Sequence, residues 1–109
     1  MLSQRSVRAY LPDALPQGTA ERIVAAAQSA ATSSNLQTWS VVAVEDLARK
    51  ARLSEVAASQ RHVRECPLLL VWLADLSRLD GVAARQSAVL DGADYLESFI
   101  VAFVDAALA

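Results

Sequence analysis

The sequence has few of the residues from which most catalytic centres are built. Among 109 residues there are one histidine, His62, one cysteine, Cys66, and three scattered glycines. A zinc site takes about four ligands, and the common nucleotide-binding loops need closely spaced glycines. We therefore expect no metal centre and no Rossmann or phosphate-loop site. We interpret Cys66 as a small core residue and His62, at a polar helix end, as a surface residue.

The sequence also lacks an excess of positive charge and a long apolar run. Lysine and arginine number 10 against 12 acidic residues, which disfavours nucleic-acid binding. The longest apolar run, residues 68–74, is far shorter than the roughly 20 residues of a transmembrane helix, and the start of the sequence lacks the apolar core of a signal peptide. A lone cysteine suits a reducing compartment. We expect a cytoplasmic protein that binds neither nucleic acid nor membrane.

Apolar residues, by contrast, are abundant. They make up 54% of the chain, above the roughly 45–50% typical of soluble domains. A chain of this length supports one small domain, residues 1–109, which would leave part of that apolar surface exposed. We expect a partner subunit, or a further part of the same protein, to cover it, so that this chain forms one partial domain.

Helices and strands alternate in the predicted secondary structure. After a linker over residues 9–18, Thr19 is expected to begin a helix that runs to about Ala31. Residues 39–44 predict a strand because they are short, β-branched and aromatic. Residues 68–74 predict a central strand covered on both faces, since their apolar character does not alternate.

Two further helices are predicted. Asp46 is placed to cap a helix through about Ser59 whose apolar face contains Leu53, Val56 and Ala57. Residues 81–92 predict a loop with one short helix. The strongest helix prediction covers residues 93–108, because apolar residues recur there at helical spacing. The residues at this spacing are Leu96, Phe99, Ile100, Phe103, Val104 and Ala107.

Two polar segments are the candidates for binding chemistry. Arg5 and Arg8 flank Ser6, and guanidinium groups with a hydroxyl are donors suited to phosphate oxygens. The segment Thr32-Ser33-Ser34-Asn35-Leu36-Gln37 carries hydroxyl and amide side chains that favour turns. From the residues alone, these segments are also explained as a solvated amino terminus and a turn after a helix.

The order and spacing of several segments resemble the nitroreductase family. Gln4-Arg5-Ser6-Val7-Arg8-Ala9-Tyr10 is similar to the opening motif of that family, and residues 32–39 are similar to its second motif, a serine-rich turn ending in Asn-x-Gln and an aromatic residue. Gln60-Arg61-His62-Val63, followed by a proline-led apolar strand, resembles the NADPH-linked branch of nitroreductases and flavin reductases. Residues 101–109 resemble the first part of the long dimer-forming helix.

The resemblance implies an α+β fold of three layers, with helices packed on a central mixed sheet. It also implies an FMN cofactor, NAD(P)H as hydride donor, and a ping-pong cycle that reduces nitroaromatics, quinones or flavins. The flavin would lie at a homodimer interface. The implied FMN contacts are Gln4, Arg5, Ser6 and Arg8 at the phosphate, and Thr32, Ser33, Ser34, Asn35, Gln37 and Gln60 along the ribityl chain and ring.

Gln4 departs from the pattern, since the family usually carries a basic residue or histidine there. Two other functions stay open at this point. The chain would be either a flavin-free fragment without activity, or a helical interaction module that binds a partner through residues 93–108.

Overall fold

The computed structural model describes residues 5–109 and shows an α+β fold, as predicted. The described residues form five α-helices, one short 3₁₀ turn and two strands. In chain order these are α1 (Thr19–Ala27), the 3₁₀ turn (Ser33–Asn35), β1 (Trp39–Val44), α2 (Leu47–Val56), α3 (Arg61–Glu65), β2 (Leu69–Ala74), α4 (Ser77–Gln86) and α5 (Leu96–Leu108). None of these helices is long and apolar enough to cross a membrane.

The chain divides into two compact units. The first contains the segment through Ala20 together with Ala43–Leu70, and the second contains Glu21–Val42 together with Val71–Ala109. Helices α2 and α3 therefore belong to the first unit. The polar turn at residues 32–38 and helices α4 and α5 belong to the second.

The two strands pair with each other and run antiparallel. The N–H of Asp75, just after β2, donates to the carbonyl of Thr38, just before β1, at 2.8 Å. The indole rings of Trp39 and Trp72 lie 5.2 Å apart with a 60° tilt, a favourable aromatic geometry. The expectation that β2 is a central strand covered on both faces is wrong for residues 5–109. Its side chains are half-buried or exposed, so its faces are not fully covered, and β1 is the single strand that pairs with it there, so it is not central.

Helix α1 is shorter than predicted. It ends at Ala27 rather than near Ala31. Beyond that point the backbone tightens, since Ala30 N–H donates to the Ala27 carbonyl at 3.0 Å, and the Ser29 hydroxyl donates to the Ala26 carbonyl at 2.6 Å. A serine hydroxyl that satisfies a terminal carbonyl in this way competes with continuation of the helix.

Helix α2 begins as predicted but buries a different face. The Asp46 carboxylate accepts the Arg49 N–H at 2.8 Å, which confirms the cap. The helix ends at Val56, three residues early, where the following backbone turns left-handed at Ala58 and Ser59. The predicted apolar face is wrong, since Val56 is 88% exposed and Leu53 is also exposed. The buried residues are Lys50 and Ser54, for a reason given below.

The stretch over residues 81–92, predicted as a loop with one short helix, is helical at its beginning, where it forms the second half of α4. Helix α4 ends at Gln86, and the next residue, Ser87, takes a left-handed conformation with φ of 51°. The N–H of Ala88 then reaches back to the Ala83 carbonyl at 2.9 Å, a bond typical of helix ends. Gly81 lies inside this helix, so it does not mark the start of a loop.

Helix α5 confirms the strongest helix prediction. Its apolar residues at helical spacing are all exposed, with Phe103 62% accessible to solvent. We call this set the α5 stripe: Leu96, Phe99, Ile100, Phe103, Val104 and Ala107. The opposite face contains Ala102 and Asp105, which are buried. The helix therefore presents its most apolar side outward and buries a carboxylate.

Candidate functional site

The polar turn at residues 32–38 is a strained loop of the second unit. Ser34, Asn35 and Gln37 have φ values of 51°, 54° and 51°, in the left-handed region that side-chain-bearing residues seldom adopt. Inside the turn, Asn35 N–H donates to the Thr32 carbonyl at 3.2 Å, and Gln37 N–H donates to the Thr32 hydroxyl oxygen at 3.3 Å. Such strain persists where the surroundings hold the backbone in place.

The side chains of this turn form a set of outward hydrogen-bonding groups. Ser33, Ser34 and Asn35 are exposed, while Gln37 is half-buried and its amide donates to Asn35 Oδ1 at 3.4 Å. Hydroxyl and amide groups both donate and accept hydrogen bonds, as a polyhydroxyl chain requires of its binding site. The structure therefore brings five of the sequence-predicted residues, Thr32, Ser33, Ser34, Asn35 and Gln37, into one polar surface.

Asp105 anchors this turn and was not among the predicted residues. Its side chain lies on the buried face of α5, where Oδ1 accepts the Ser33 N–H at 3.1 Å and Oδ2 accepts the Thr38 hydroxyl at 3.4 Å. The sequence does contain a signal for it. Asp105 is the single charged residue between Phe99 and Ala109, and acidic residues are almost never fully buried without a partner.

A second aspartate, Asp75, connects the end of the polar turn to the sheet by hydrogen bonds. Its N–H bonds the Thr38 carbonyl, and its carboxylate accepts the hydroxyl groups of Ser40 in β1 and, at 2.6 Å, of Ser77 at the start of α4. These hydrogen bonds, from Ser40 first and then Ser77, lower the pKa of the Asp75 carboxyl, because they favour its charged form. Thr38 is thus fixed by both aspartates.

The described part of the opening motif, residues 5–10, lies in the first unit as exposed chain without helix or strand. Arg5, Ser6 and Arg8 are all exposed, and the two arginines take part in no ion pair within residues 5–109. Their guanidinium donors are free to bind an anion. Gln4, the remaining predicted residue of this motif, lies outside the described residues.

Gln60 is held in place by α2. The Ser54 hydroxyl donates to the Gln60 carbonyl at 2.8 Å, and the Lys50 ammonium donates to the Cys66 carbonyl at 2.6 Å. Ser54 and Lys50 are one helical turn apart, and their partners are the two residues that flank α3. This explains why the polar face of α2 is the buried one. The Gln60 side chain itself is exposed.

Two cavities among residues 5–109 bear on the site, one in each unit. A cavity of about 150 Å³ in the second unit is lined by residues of the polar turn, among them Ser33 and Ser34, and by Glu97 and Ser98 of α5. This volume is below the roughly 300–1,000 Å³ of typical ligand pockets, so the second unit offers one wall of a site rather than an enclosure. A larger groove of about 520 Å³ in the first unit is lined by none of the predicted residues.

Within residues 5–109 no group of three histidine, cysteine or acidic side chains could hold a metal ion. The donors present are hydroxyl, amide and guanidinium groups. They fit an organic cofactor that carries hydroxyl groups and a phosphate, such as FMN.

Comparison with known proteins identifies the family. The chain is 40% identical over 111 residues to an NADPH-dependent oxidoreductase of Staphylococcus epidermidis, with 99% of this chain and 43% of the relative covered. It is 33% identical over 113 residues to the FMN reductase [NAD(P)H] of Bacillus subtilis, with 100% and 44% covered. The solved structure of NfrA2 from B. megaterium superposes with a TM-score of 0.91 at 36% identity, with 98% and 44% covered.

The chain thus spans less than half the length of these relatives. The family profile described as Nitroreductase family matches residues 1–99. The resemblance found in the sequence and the predicted nitroreductase-like fold are both confirmed. The chain belongs to the Nitroreductase family.

Proposed function

We propose that this chain contributes to an FMN-dependent NAD(P)H oxidoreductase that works in the cytoplasm and reduces nitroaromatics, quinones or flavins by a ping-pong mechanism. The observation that carries the proposal is the polar turn at residues 32–38, where exposed hydroxyl and amide groups stand on a backbone held by Asp105. Family membership and relatives named as FMN reductase and NADPH-dependent oxidoreductase support the same chemistry.

In this proposal the chain binds and orients the cofactor, and FMN, when bound, supplies the redox chemistry. Arg5, Arg8 and the Ser6 hydroxyl, together with Gln4, hold the phosphate. Arg5 and Arg8 suit this role because they are exposed and have no carboxylate partner within the described residues. A guanidinium fork matches the geometry of phosphate oxygens.

The ribityl chain and the ring are assigned to the second group of residues. Thr32, Ser33, Ser34, Asn35 and Gln37 offer hydroxyl and amide groups on one surface, and Gln60, by the family resemblance, is assigned to the ring. No side chain of this set needs to act as an acid or base for the cofactor to react. The turn's task is to orient the flavin and to limit its contact with water.

The proposed partner is a second copy of the chain, bound through the α5 stripe, with the flavin near the interface. The stripe is a continuous set of exposed apolar side chains, and such patches mark protein interfaces. Its exposure also fits the alternative in which residues 93–108 are an interaction module without flavin. The two readings differ in whether FMN binds.

Titration with FMN distinguishes them. We expect Arg8→Ala to weaken FMN binding by the loss of a charge-assisted contact, on the order of 1.5–3 kcal/mol, or at least tenfold in the dissociation constant. Arg52→Ala is the matched control, since Arg52 is an exposed arginine of α2 outside both motifs. A colourless protein that gains no FMN on titration would overturn the proposal for this chain.

A further inference from the structure

Asp105 is a buried carboxylate on a helix whose other residues are mainly apolar. It is 2% exposed and lies on α5. Its carboxylate has no ion-pair partner in the described part of the chain. Burial of a charge is costly unless hydrogen bonds compensate, so the two hydrogen bonds that it accepts, from Ser33 and Thr38, account for its place there.

Those two donors bracket the strained part of the polar turn. Ser33 begins the 3₁₀ turn, and Thr38 is the last residue before β1. Between them lie three residues with left-handed backbone, each in a conformation that costs free energy for a side-chain-bearing residue. The two hydrogen bonds to Asp105, one at each end of this segment, limit the conformations that the loop can adopt.

The geometry of α5 explains why a residue of this helix can accept both hydrogen bonds. Asp105 and Ala102 lie on the face of the helix opposite the α5 stripe, given 3.6 residues per turn. The helix therefore carries the exposed apolar surface on one side and the anchor of the polar turn on the other.

We infer that Asp105 is a positioning residue, which holds residues 33–38 in the conformation that presents Ser33, Ser34 and Asn35 to the flavin. The flavin part of this inference rests on the proposed function. Asp105 acts through the turn and makes no contact with the cofactor. Its hydrogen bonds set the position of the backbone, and the backbone sets the direction of the three side chains.

Two substitutions of Asp105 separate this role from a general contribution to stability. Asp105→Asn keeps an oxygen for the Ser33 N–H and adds an amide that can donate to the Thr38 hydroxyl oxygen. Asp105→Ala removes both acceptors. We expect Asp105→Ala to raise the FMN dissociation constant by about tenfold or more, and Asp105→Asn to restore it to within about threefold of the wild type.

Amide hydrogen exchange gives a second readout that does not depend on FMN. The Ser33 N–H should be protected in the wild type and in Asp105→Asn, and should exchange much faster in Asp105→Ala. Asp46→Ala is the control, because it removes a helix cap in the first unit and should lower stability without a selective effect on residues 33–38.

The outcomes are distinct. Unchanged exchange of residues 33–38 in Asp105→Ala overturns the inference, whatever happens to FMN. A wild type that binds no FMN overturns the proposed function and the flavin part of the inference, while exchange still decides whether Asp105 holds the turn. If Asp105→Ala does not fold, Thr38→Val removes the hydroxyl bond to Asp105 at a nearly isosteric position and leaves the Ser33 bond in place. Faster exchange of the Asn35 and Gln37 N–H groups is then expected, and unchanged exchange of these groups together with unchanged FMN binding overturns the inference.

Discussion

Replacement of Phe103 by alanine tests whether the α5 stripe is a self-association surface. Phe103 is 62% exposed, so most of its ring is available for burial in an interface. Full burial of a phenylalanine side chain contributes about 1.5–3 kcal/mol. The exposed part then contributes roughly 1–2 kcal/mol per subunit, and two copies give about 2–4 kcal/mol in a symmetric dimer. Phe103→Ala should therefore raise the dimer dissociation constant by about 30-fold to several hundredfold.

Sedimentation equilibrium of the 109-residue chain measures this constant directly. The matched control is Leu47→Ala, which removes an apolar side chain of comparable exposure, 72%, from α2, outside the stripe. The control should dissociate like the wild type. A wild type that stays monomeric at high concentration, or a Phe103→Ala variant that associates normally, would refute the assignment of the stripe to a dimer interface.

Three further predictions concern stability and are measured by urea unfolding. Asp46→Ala should lower the free energy of unfolding by about 0.5–2 kcal/mol, because it removes the cap of α2. Ser54→Ala should lower it by about 1 kcal/mol through loss of the hydrogen bond to the Gln60 carbonyl, and Ser59→Ala, at an exposed site, should not. Since the folded-state pKa of Asp75 is lowered, its stabilising effect is present above the ordinary value of 3.8 and is lost as the pH falls through the folded-state pKa. When the pH is lowered from 5 through the folded-state pKa of Asp75, the free energy of unfolding should therefore fall less in Asp75→Asn than in the wild type. An equal fall in both proteins would contradict the stabilising role of the Asp75 carboxylate.

The sequence predicted those elements whose signals are local. The cap at Asp46, the β-branched strand from Trp39 to Val44 and the apolar spacing of α5 are each confirmed, because their causes lie within a few residues. Helix ends were less predictable. Helix α1 ends at Ala27, where the Ser29 hydroxyl bonds the Ala26 carbonyl. Helix α4 continues through Gly81, although glycine has a low helix propensity.

Long-range contacts account for what the sequence missed. The burial of Lys50 and Ser54 depends on two carbonyls at the ends of α3, which periodicity cannot reveal. Asp105 lies 72 residues from Ser33 along the chain, so its role became visible only when the fold placed α5 beside the turn. The polar turn itself was predictable, since its residue types favour left-handed and turn conformations.

The most direct test of the proposed function is a fluorescence titration of the wild-type chain with FMN, in parallel with riboflavin. Riboflavin has the same ring and ribityl chain but no phosphate, so it separates the contribution of Arg5 and Arg8 from that of the polar turn. We predict saturable FMN binding at one site per chain and binding of riboflavin that is at least tenfold weaker, as expected for loss of a charge-assisted contact. No saturable binding of either flavin would contradict the proposal, and equal affinity for the two would contradict the phosphate site.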